Sequence, residues 1–151
     1  MKKIAVLVAA LILCLAILFF VSNHRNLSEI KTIKVNNHSI AVEVADTDRL
    51  RTKGLSERNS LPQNQGMLFI FPAAGLYNFW MKGMHFPLDF VWIKDDTVVD
   101  LTENVLNPKD QTHDPTEFYN PKFAVNKVLE INAGEVKKLN IKIGDKIIYN
   151  L

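Results

Sequence analysis

The sequence has one cysteine, Cys14, and it lies in an apolar run near the N-terminus. The remainder of the chain therefore has no disulfide, no reactive thiol and no Cys-based zinc site. Glycine is also scarce, with 6 residues spread over the chain, so no glycine-rich phosphate loop is present. A nucleophile elbow and the spacing of a Ser–His–Asp triad are absent as well. The sequence indicates no cofactor.

An excess of charge of one sign is also lacking. The formal net charge is +2, and acidic and basic residues are interspersed along the domain. A nucleic-acid-binding protein would carry a basic stripe or patch, and none is present. We therefore expect no nucleic-acid partner.

Residues 1–22 predict a transmembrane anchor or signal segment. Lys2 and Lys3 precede the uncharged run from Ile4 to Val21. As a helix this run would be about 27 Å long, just enough to cross the hydrocarbon core of a bilayer. The alternative is a cleaved signal peptide, but no good small-x-small cleavage site follows the run. We expect an uncleaved single-pass helix, whose partner is the lipid bilayer.

The charges that flank this run predict its orientation. Lys2 and Lys3 precede it, whereas Arg25 and Lys31 follow it with Glu29 between them. The positive-inside rule then favours a cytoplasmic N-terminus and a domain outside the cytoplasm. The protein is predicted at the cell membrane or, if the segment is cleaved, as a secreted or periplasmic protein. Residues 23–30 form a tether, and residues 31–151 form one domain.

Short apolar-polar alternations separated by turn residues dominate residues 31–151, and this pattern predicts β-strands. Asn36-Asn37-His38 is typical of a hairpin turn. Asp46 or Thr47 can cap a short helix that ends at Gly54. The strands expected in the second half are Met67–Phe71, Tyr77–Met81, Leu88–Ile93, Thr97–Leu101, Ala124–Ile131 and Lys146–Tyr149. The fold class is all-β: a compact β-sandwich or squat barrel with one or two short helices.

Two neighbouring stretches, Gly66–Pro72 and Phe79–Phe90, are unusually rich in aromatic residues and methionine. The polar residues Lys82, His85 and Asp89 lie within the second stretch. Large apolar surfaces with a few interspersed polar groups are typical of a core that also forms the wall of a pocket.

Seven short motifs follow one another along residues 33–149. In order they are Arg51-x-x-Gly54-Leu55-Ser56-x-Arg58, Leu61-Pro62, Gly66-Met67-Leu68-Phe69-x-Phe71, Phe79-Trp80-Met81-Lys82, Pro87-Leu88-Asp89, Val128-Leu129-Glu130-x-x-Ala133-Gly134 and Gly144-Asp145. Over about Ile33 to Tyr149 these motifs resemble the uncharacterised domain-of-unknown-function 192 family. The resemblance implies a compact β-sandwich, often behind an export signal or anchor, and no established activity. One departure is Gly83-Met84-His85, where the family usually has Asn-Thr and an aliphatic residue.

Asp89 is a carboxylate in an apolar strand and should have a cationic or hydrogen-bonding partner, because an unpaired buried charge is costly. Lys82 and Arg58 are the natural cations. They form either a structural ion pair with Asp89 or, with Trp80 as a stacking surface, the lining of a ligand-binding site. The candidate ligand-binding residues are therefore Arg58, Trp80, Lys82 and Asp89.

Our first hypothesis is a membrane-anchored extracytoplasmic binding or accessory module for an unknown small molecule or envelope partner. An envelope hydrolase that uses Asp89 and Glu130, with Arg58 as an anion clamp, is the first alternative. The second is a Cu(I)-binding domain, since the thioethers of Met81 and Met84 and the imidazole of His85 suit a soft metal ion. Ordinary core packing of these methionines is the competing interpretation.

Overall fold

A computed structural model describes residues 13–14, 30–109 and 117–151. The predicted anchor from Ile4 to Val21 and the tether at 23–30 lie outside the described residues, apart from Leu13, Cys14 and Ile30. Within the described ranges, no helix is both long and apolar enough to cross a membrane.

The described part of the chain is mainly β, as predicted, with seven strands and two short helices. In chain order these are β1 (Ile30–Val35), β2 (His38–Ala45), α1 (Asp48–Lys53), β3 (Gln65–Gly75), β4 (Leu88–Lys94), β5 (Thr97–Val105), β6 (Val125–Asn132), α2 (Glu135–Lys138) and β7 (Ile148–Asn150).

All seven strands belong to one sheet, in the order β5-β4-β6-β3-β2-β1-β7. Neighbours are antiparallel except β2 and β3, which are parallel because α1 and the following loop return the chain to the same end of the sheet. A bridge between Thr97 and Lys146 joins the start of β5 to the segment that leads into β7. The backbone N–H of Val98 also donates to the carbonyl of Asp145 at 2.9 Å. These bonds connect the two ends of the strand order, so the sheet curls on itself.

Each face of the sheet has its own apolar cluster. The inner cluster, on the concave face, is aliphatic and includes Ile33 from β1 and Val98 from β5. The outer cluster, on the opposite face, is aromatic and includes Phe69, Phe90 and Trp92. Successive side chains of a strand point to opposite faces of the sheet. The position of a polar residue along a central strand therefore decides which of the two clusters its side chain faces.

The local turn and cap predictions are confirmed. Asn36 and Asn37 have φ of 48° and 66°, the left-handed values that a tight two-residue hairpin requires. The Thr47 side chain accepts a hydrogen bond from the Leu50 N–H at 3.3 Å and caps α1. Gly54 ends the helix with φ of 50°, a conformation that glycine adopts at low cost.

The strand predicted at Tyr77–Met81 is wrong. Phe79 and Tyr119 exchange two backbone hydrogen bonds of 2.9 Å, and this single bridge is the pairing of the segment among the described residues. The side chains nevertheless alternate as they do in a strand, since Phe79 and Met81 are buried in the outer cluster whereas Trp80 is 36% exposed. Side-chain burial, rather than a ladder of backbone bonds, fixes this segment.

Candidate functional site

Asp89 is fully buried on β4, and its partners are backbone amides. One carboxylate oxygen accepts a hydrogen bond from the N–H of Asn104 at 2.8 Å, and the other from the N–H of Val136 at 2.9 Å. The predicted ion pair with Lys82 or Arg58 is therefore wrong. Two backbone donors satisfy the buried charge instead, and they tie β5 and α2 to β4.

Arg58 pairs with Glu43 on β2. Both Nη atoms of Arg58 donate to the Glu43 carboxylate, one of them at 2.8 Å to Oε2. Hydrogen bonding to Glu43 raises the pKa of Arg58, while burial opposes this shift. The guanidinium is partly buried, so its position is fixed by a bidentate contact.

Glu130 lies on β6 between two strands of the sheet. Its register partners are Met67 on β3 and Phe90 on β4, so its side chain points into the outer, aromatic cluster. The residue is only 5% exposed, and no described residue donates a hydrogen bond to its carboxyl group. Burial raises the pKa of Glu130 to about 8, although the charge of Arg58 acts in the opposite direction.

Glu130 lines a cleft of about 150 Å³ in the outer cluster, which we call the Glu130 cleft. Its aromatic lining is tightly packed: the rings of Phe71 and Tyr77 stack with centroids 3.6 Å apart, and Phe69 meets Phe79 edge-on at 5.0 Å. The cleft is lined by Arg51, Thr52, Lys53, Gly54, Leu55, Ser56, Phe69, Phe71, Tyr77, Asn78, Phe79, Trp80, Met84 and Glu130. It combines a wide apolar surface with one buried acid.

Helix α1 supplies the basic side of this cleft. The guanidinium of Arg51 lies 5.3 Å from the ring centre of Phe71. It also donates at 2.6 Å to the carboxylate of Asp48 and, at the same distance, to the carbonyls of Asp46 and Ile70. Arg51 is therefore held in place by the protein itself, and its charge is already balanced.

Trp80 and Lys82 lie at a wider surface depression next to the Glu130 cleft, which we call the outer hollow. It measures about 820 Å³. The Ser56 hydroxyl donates to the Lys82 carbonyl at 2.9 Å and ties down the loop whose residues Lys82, Gly83 and His85 line the hollow. The residues that line both the cleft and the hollow are Thr52, Lys53, Ser56 and Trp80; Glu57, Lys82, Gly83 and His85 line the hollow alone.

The structure separates the four residues that the sequence groups together. Trp80 and Lys82 lie at one depression, and Arg58 is close enough to Glu130 to affect its pKa. Asp89 lies elsewhere, because its register partner is Ile131 of the inner cluster. Ligand binding by these residues stays a prediction.

The paired-carboxylate alternative is wrong. Asp89 faces the inner cluster with Ile131, whereas Glu130 faces the outer cluster with Phe90. Two carboxyl groups on opposite faces of a sheet have no common substrate atom, so they do not form the acid–base pair of a glycosidase.

The copper alternative receives no support from the geometry. Met81 and Met84 are buried among the side chains of the outer cluster, whereas His85 is exposed on the outer hollow. Among the described residues, no group of three or more His, Cys, Asp or Glu side chains is placed to hold a metal ion.

The two aromatic stretches predicted as the wall of a pocket do line the cleft, but sequence reasoning considered Glu130 only as a partner of Asp89 and did not place it there. The available signal was one acid within the apolar run Val128-Leu129-Glu130-Ile131. A buried acid with no hydrogen bond from the described residues marks a site more sharply than one tied to backbone amides. Nothing in the sequence near α1 indicates that this helix lines the cleft.

Comparisons with known proteins agree with this fold. Residues 30–149 match the model of the DUF192 family, described as an uncharacterised ancient conserved region. The chain belongs to this family. No curated protein matches it significantly.

Two crystal structures are similar to this chain. A candidate transcription regulator from Sinorhizobium meliloti 1021 is 28% identical, with a TM-score of 0.74, and the match covers 82% of this chain and 95% of that one. A protein of unknown function from Novosphingobium aromaticivorans DSM 12444 is 30% identical, with a TM-score of 0.70, and the match covers 79% of this chain and 84% of that one.

Proposed function

We propose that this protein is a membrane-anchored extracytoplasmic binding module, and that its ligand enters the Glu130 cleft past Trp80 and Lys82. One observation carries the proposal: an acid that is 95% buried, with no hydrogen bond from the described residues, lines an aromatic cleft that continues into a surface hollow. A buried polar group without a protein partner is costly to folding. A ligand that bonds to it recovers that cost on binding.

The lining of the cleft favours binding over catalysis. The Ser56 hydroxyl donates to the Lys82 carbonyl at 2.9 Å, and the Tyr77 hydroxyl donates to the Ala73 carbonyl at 2.6 Å. Glu130 is the one acid among the residues described as lining the cleft. A reaction by acid–base or covalent catalysis needs a second group within hydrogen-bond reach, and the Ser56 and Tyr77 hydroxyls of this lining already donate elsewhere.

The N-terminal run supports the membrane part of the proposal. Ile4 to Val21 is uncharged and preceded by two lysines, a pattern typical of an anchor with its N-terminus in the cytoplasm. The domain would then present its cleft outside the cytoplasm. We do not extend a regulatory role in transcription to this chain, because its charge is close to neutral and interspersed, whereas phosphate binding needs clustered basic residues.

A ligand screen with a blocked cleft tests the proposal. The full-length chain in detergent micelles is screened against a library of small metabolites and cell-envelope fragments by thermal shift, since a ligand of the native state raises the unfolding midpoint. Thr52→Trp places an indole at the shared mouth of the cleft and the hollow. Arg49→Trp is the matched control, because Arg49 is exposed on α1 and lines neither.

Compounds that stabilise the wild type and Arg49→Trp, but not Thr52→Trp, are the expected result. The proposal is overturned if no compound stabilises the wild type, or if every active compound stabilises Thr52→Trp equally well.

A further inference from the structure

We infer that the ligand group that occupies the Glu130 cleft is a primary ammonium carried on an apolar body of about the size of a benzene ring. The inference rests on the proposed function and names its ligand class. Three properties of the cleft lead to it: its volume, the acid on its wall, and the balance of charge around that acid.

The volume sets the size of the group. The cleft measures about 150 Å³, and an apolar cavity of that volume in a protein is able to bind benzene. Phe69, Phe71, Tyr77 and Phe79 belong to its apolar lining. A single ring or a short alkyl chain therefore fills it, and a larger body extends into the outer hollow beside Trp80.

The acid sets the polarity of the group. No described residue donates a hydrogen bond to the Glu130 carboxyl group, which lies on the wall of the cleft in a residue that is 5% exposed. A primary ammonium carries three N–H donors, whereas a hydroxyl carries one. It therefore satisfies both oxygens and supplies the opposite charge, and the aromatic lining adds an attraction for cations that hydroxyl groups do not experience.

The charges around Glu130 leave it as the unbalanced group. Arg58, from the loop after α1, is paired with Glu43 of β2, and Arg51 of α1 is paired with Asp48. The neighbouring strands place Met67 and Phe90 beside Glu130 and add no charge. The remaining charged residue of the lining is Lys53 of α1, which is exposed, so water and salt screen it. The charge of Arg58 lowers the pKa of Glu130, but Arg58 forms its ion pair with Glu43. An ionised Glu130 therefore has no ion pair with a described residue, and a ligand ammonium provides one.

Three probes of nearly equal size and different charge test the ligand class: benzylamine, benzyl alcohol and benzoate. Binding to the full-length chain in detergent micelles is measured by calorimetry at pH 6, 7 and 8, where benzylamine stays protonated. We expect benzylamine to bind at least tenfold more tightly than the other two at pH 8. Because the pKa of free Glu130 is about 8, the cation must displace a proton at lower pH, and its affinity should fall about tenfold from pH 7 to pH 6.

Glu130→Gln is the matched variant, since it keeps the size of the side chain and removes its charge. It should weaken benzylamine at least tenfold, abolish the pH dependence and leave benzyl alcohol unchanged. Thr52→Trp should weaken all three probes. If Glu130→Gln does not fold, the probe ranking and the pH dependence of the wild type decide the question.

The inference is overturned if benzyl alcohol or benzoate binds as tightly as benzylamine, or if benzylamine affinity is independent of pH between 6 and 7. If benzyl alcohol binds tightly to the wild type but not to Thr52→Trp, the ammonium class is refuted while the proposed binding function is supported. Absence of binding by all three probes also refutes the ammonium class, and the library screen then judges the binding function independently.

Discussion

Asp89 and Glu130 lie on adjacent strands one register position apart, yet they point to opposite faces of the sheet. Asp89 faces the aliphatic inner cluster and accepts hydrogen bonds from two backbone amides. Glu130 faces the aromatic outer cluster and lines the cleft. One register step therefore separates a structural acid from a candidate binding group, and the two should respond differently to the same substitution.

Asp89→Ala should destabilise the protein by about 2–4 kcal/mol, because the N–H groups of Asn104 and Val136 lose the fully buried carboxylate that accepts their hydrogen bonds. Asp89→Asn should cost nearly as much. The asparagine amide offers one oxygen, and its NH2 group would face the second backbone N–H. Urea unfolding of the wild type and both variants measures these losses of stability.

Asp96→Ala is the control, since Asp96 is exposed and pairs with Lys146 at the surface; it should have little effect. A stability of Asp89→Asn equal to that of the wild type would contradict the two-amide geometry.

Glu130→Gln should change the pH dependence of stability. The pKa of Glu130 is raised from its ordinary value of 4.5 to about 8 in the folded protein. The folded state therefore holds the proton more tightly than the unfolded state, so the stabilisation is complete below pH 4.5 and is lost as the pH rises towards 8. Relative to the wild type, Glu130→Gln should gain stability over this window, by about 3–5 kcal/mol.

Chemical denaturation of both proteins between pH 4.5 and pH 8.5 measures the difference. Parallel stability curves over this range would show that Glu130 ionises near its ordinary pKa, and hence that it is solvated.

The elements that the sequence predicts correctly depend on neighbouring residues. The hairpin turn at Asn36 and Asn37 follows from two residues that tolerate positive φ. The α1 boundaries follow from the hydroxyl of Thr47 and the glycine at 54. In each case the physical cause lies within about four positions of the element that it determines.

The incorrect predictions concern partners that are distant in the chain. The amides that bind Asp89 belong to residues 104 and 136, and their sequence letters carry no sign of this role because the backbone makes the contact. Likewise, the cleft around Glu130 depends on α1, which reaches it only through the crossover between β2 and β3. Strand register and chain path decide both features, and spacing alone does not encode them.

Arg58→Gln should raise the pKa of Glu130, because the guanidinium charge lowers it in the wild type. Glu43→Gln should do the reverse. It removes the counter-charge of Arg58 and leaves a stronger positive charge near Glu130. A carboxyl ¹³C NMR titration of selectively labelled glutamate follows the residue directly. Identical midpoints in the two variants would mean that Arg58 does not act on Glu130.

Trp80→Ala and Met81→Ala should differ in their effects on stability and binding, because Trp80 lies at the surface and Met81 in the core. Met81 is 5% exposed within the outer cluster, so its truncation leaves a cavity and should cost about 2–4 kcal/mol. Trp80 is 36% exposed, so Trp80→Ala should cost less in stability but weaken every compound that binds at the mouth of the cleft. Thermal unfolding, with and without an active compound, gives both readouts. Equal losses of stability would indicate that Trp80 is part of the core rather than a binding surface.

The membrane topology gives the last prediction: the residues beyond Val21 lie outside the cytoplasm, and the anchor is retained. Lys2 and Lys3 before the uncharged run favour this orientation. Alkaline phosphatase, which is active only after export, is fused after Leu151 and should be active. A cytoplasmic fluorescent protein at the same position is the reciprocal control and should stay dark. Mass spectrometry of the membrane fraction should find the intact N-terminus. An inactive phosphatase would refute export, whereas an active one on a product that begins near Ser22 would identify a cleaved signal peptide.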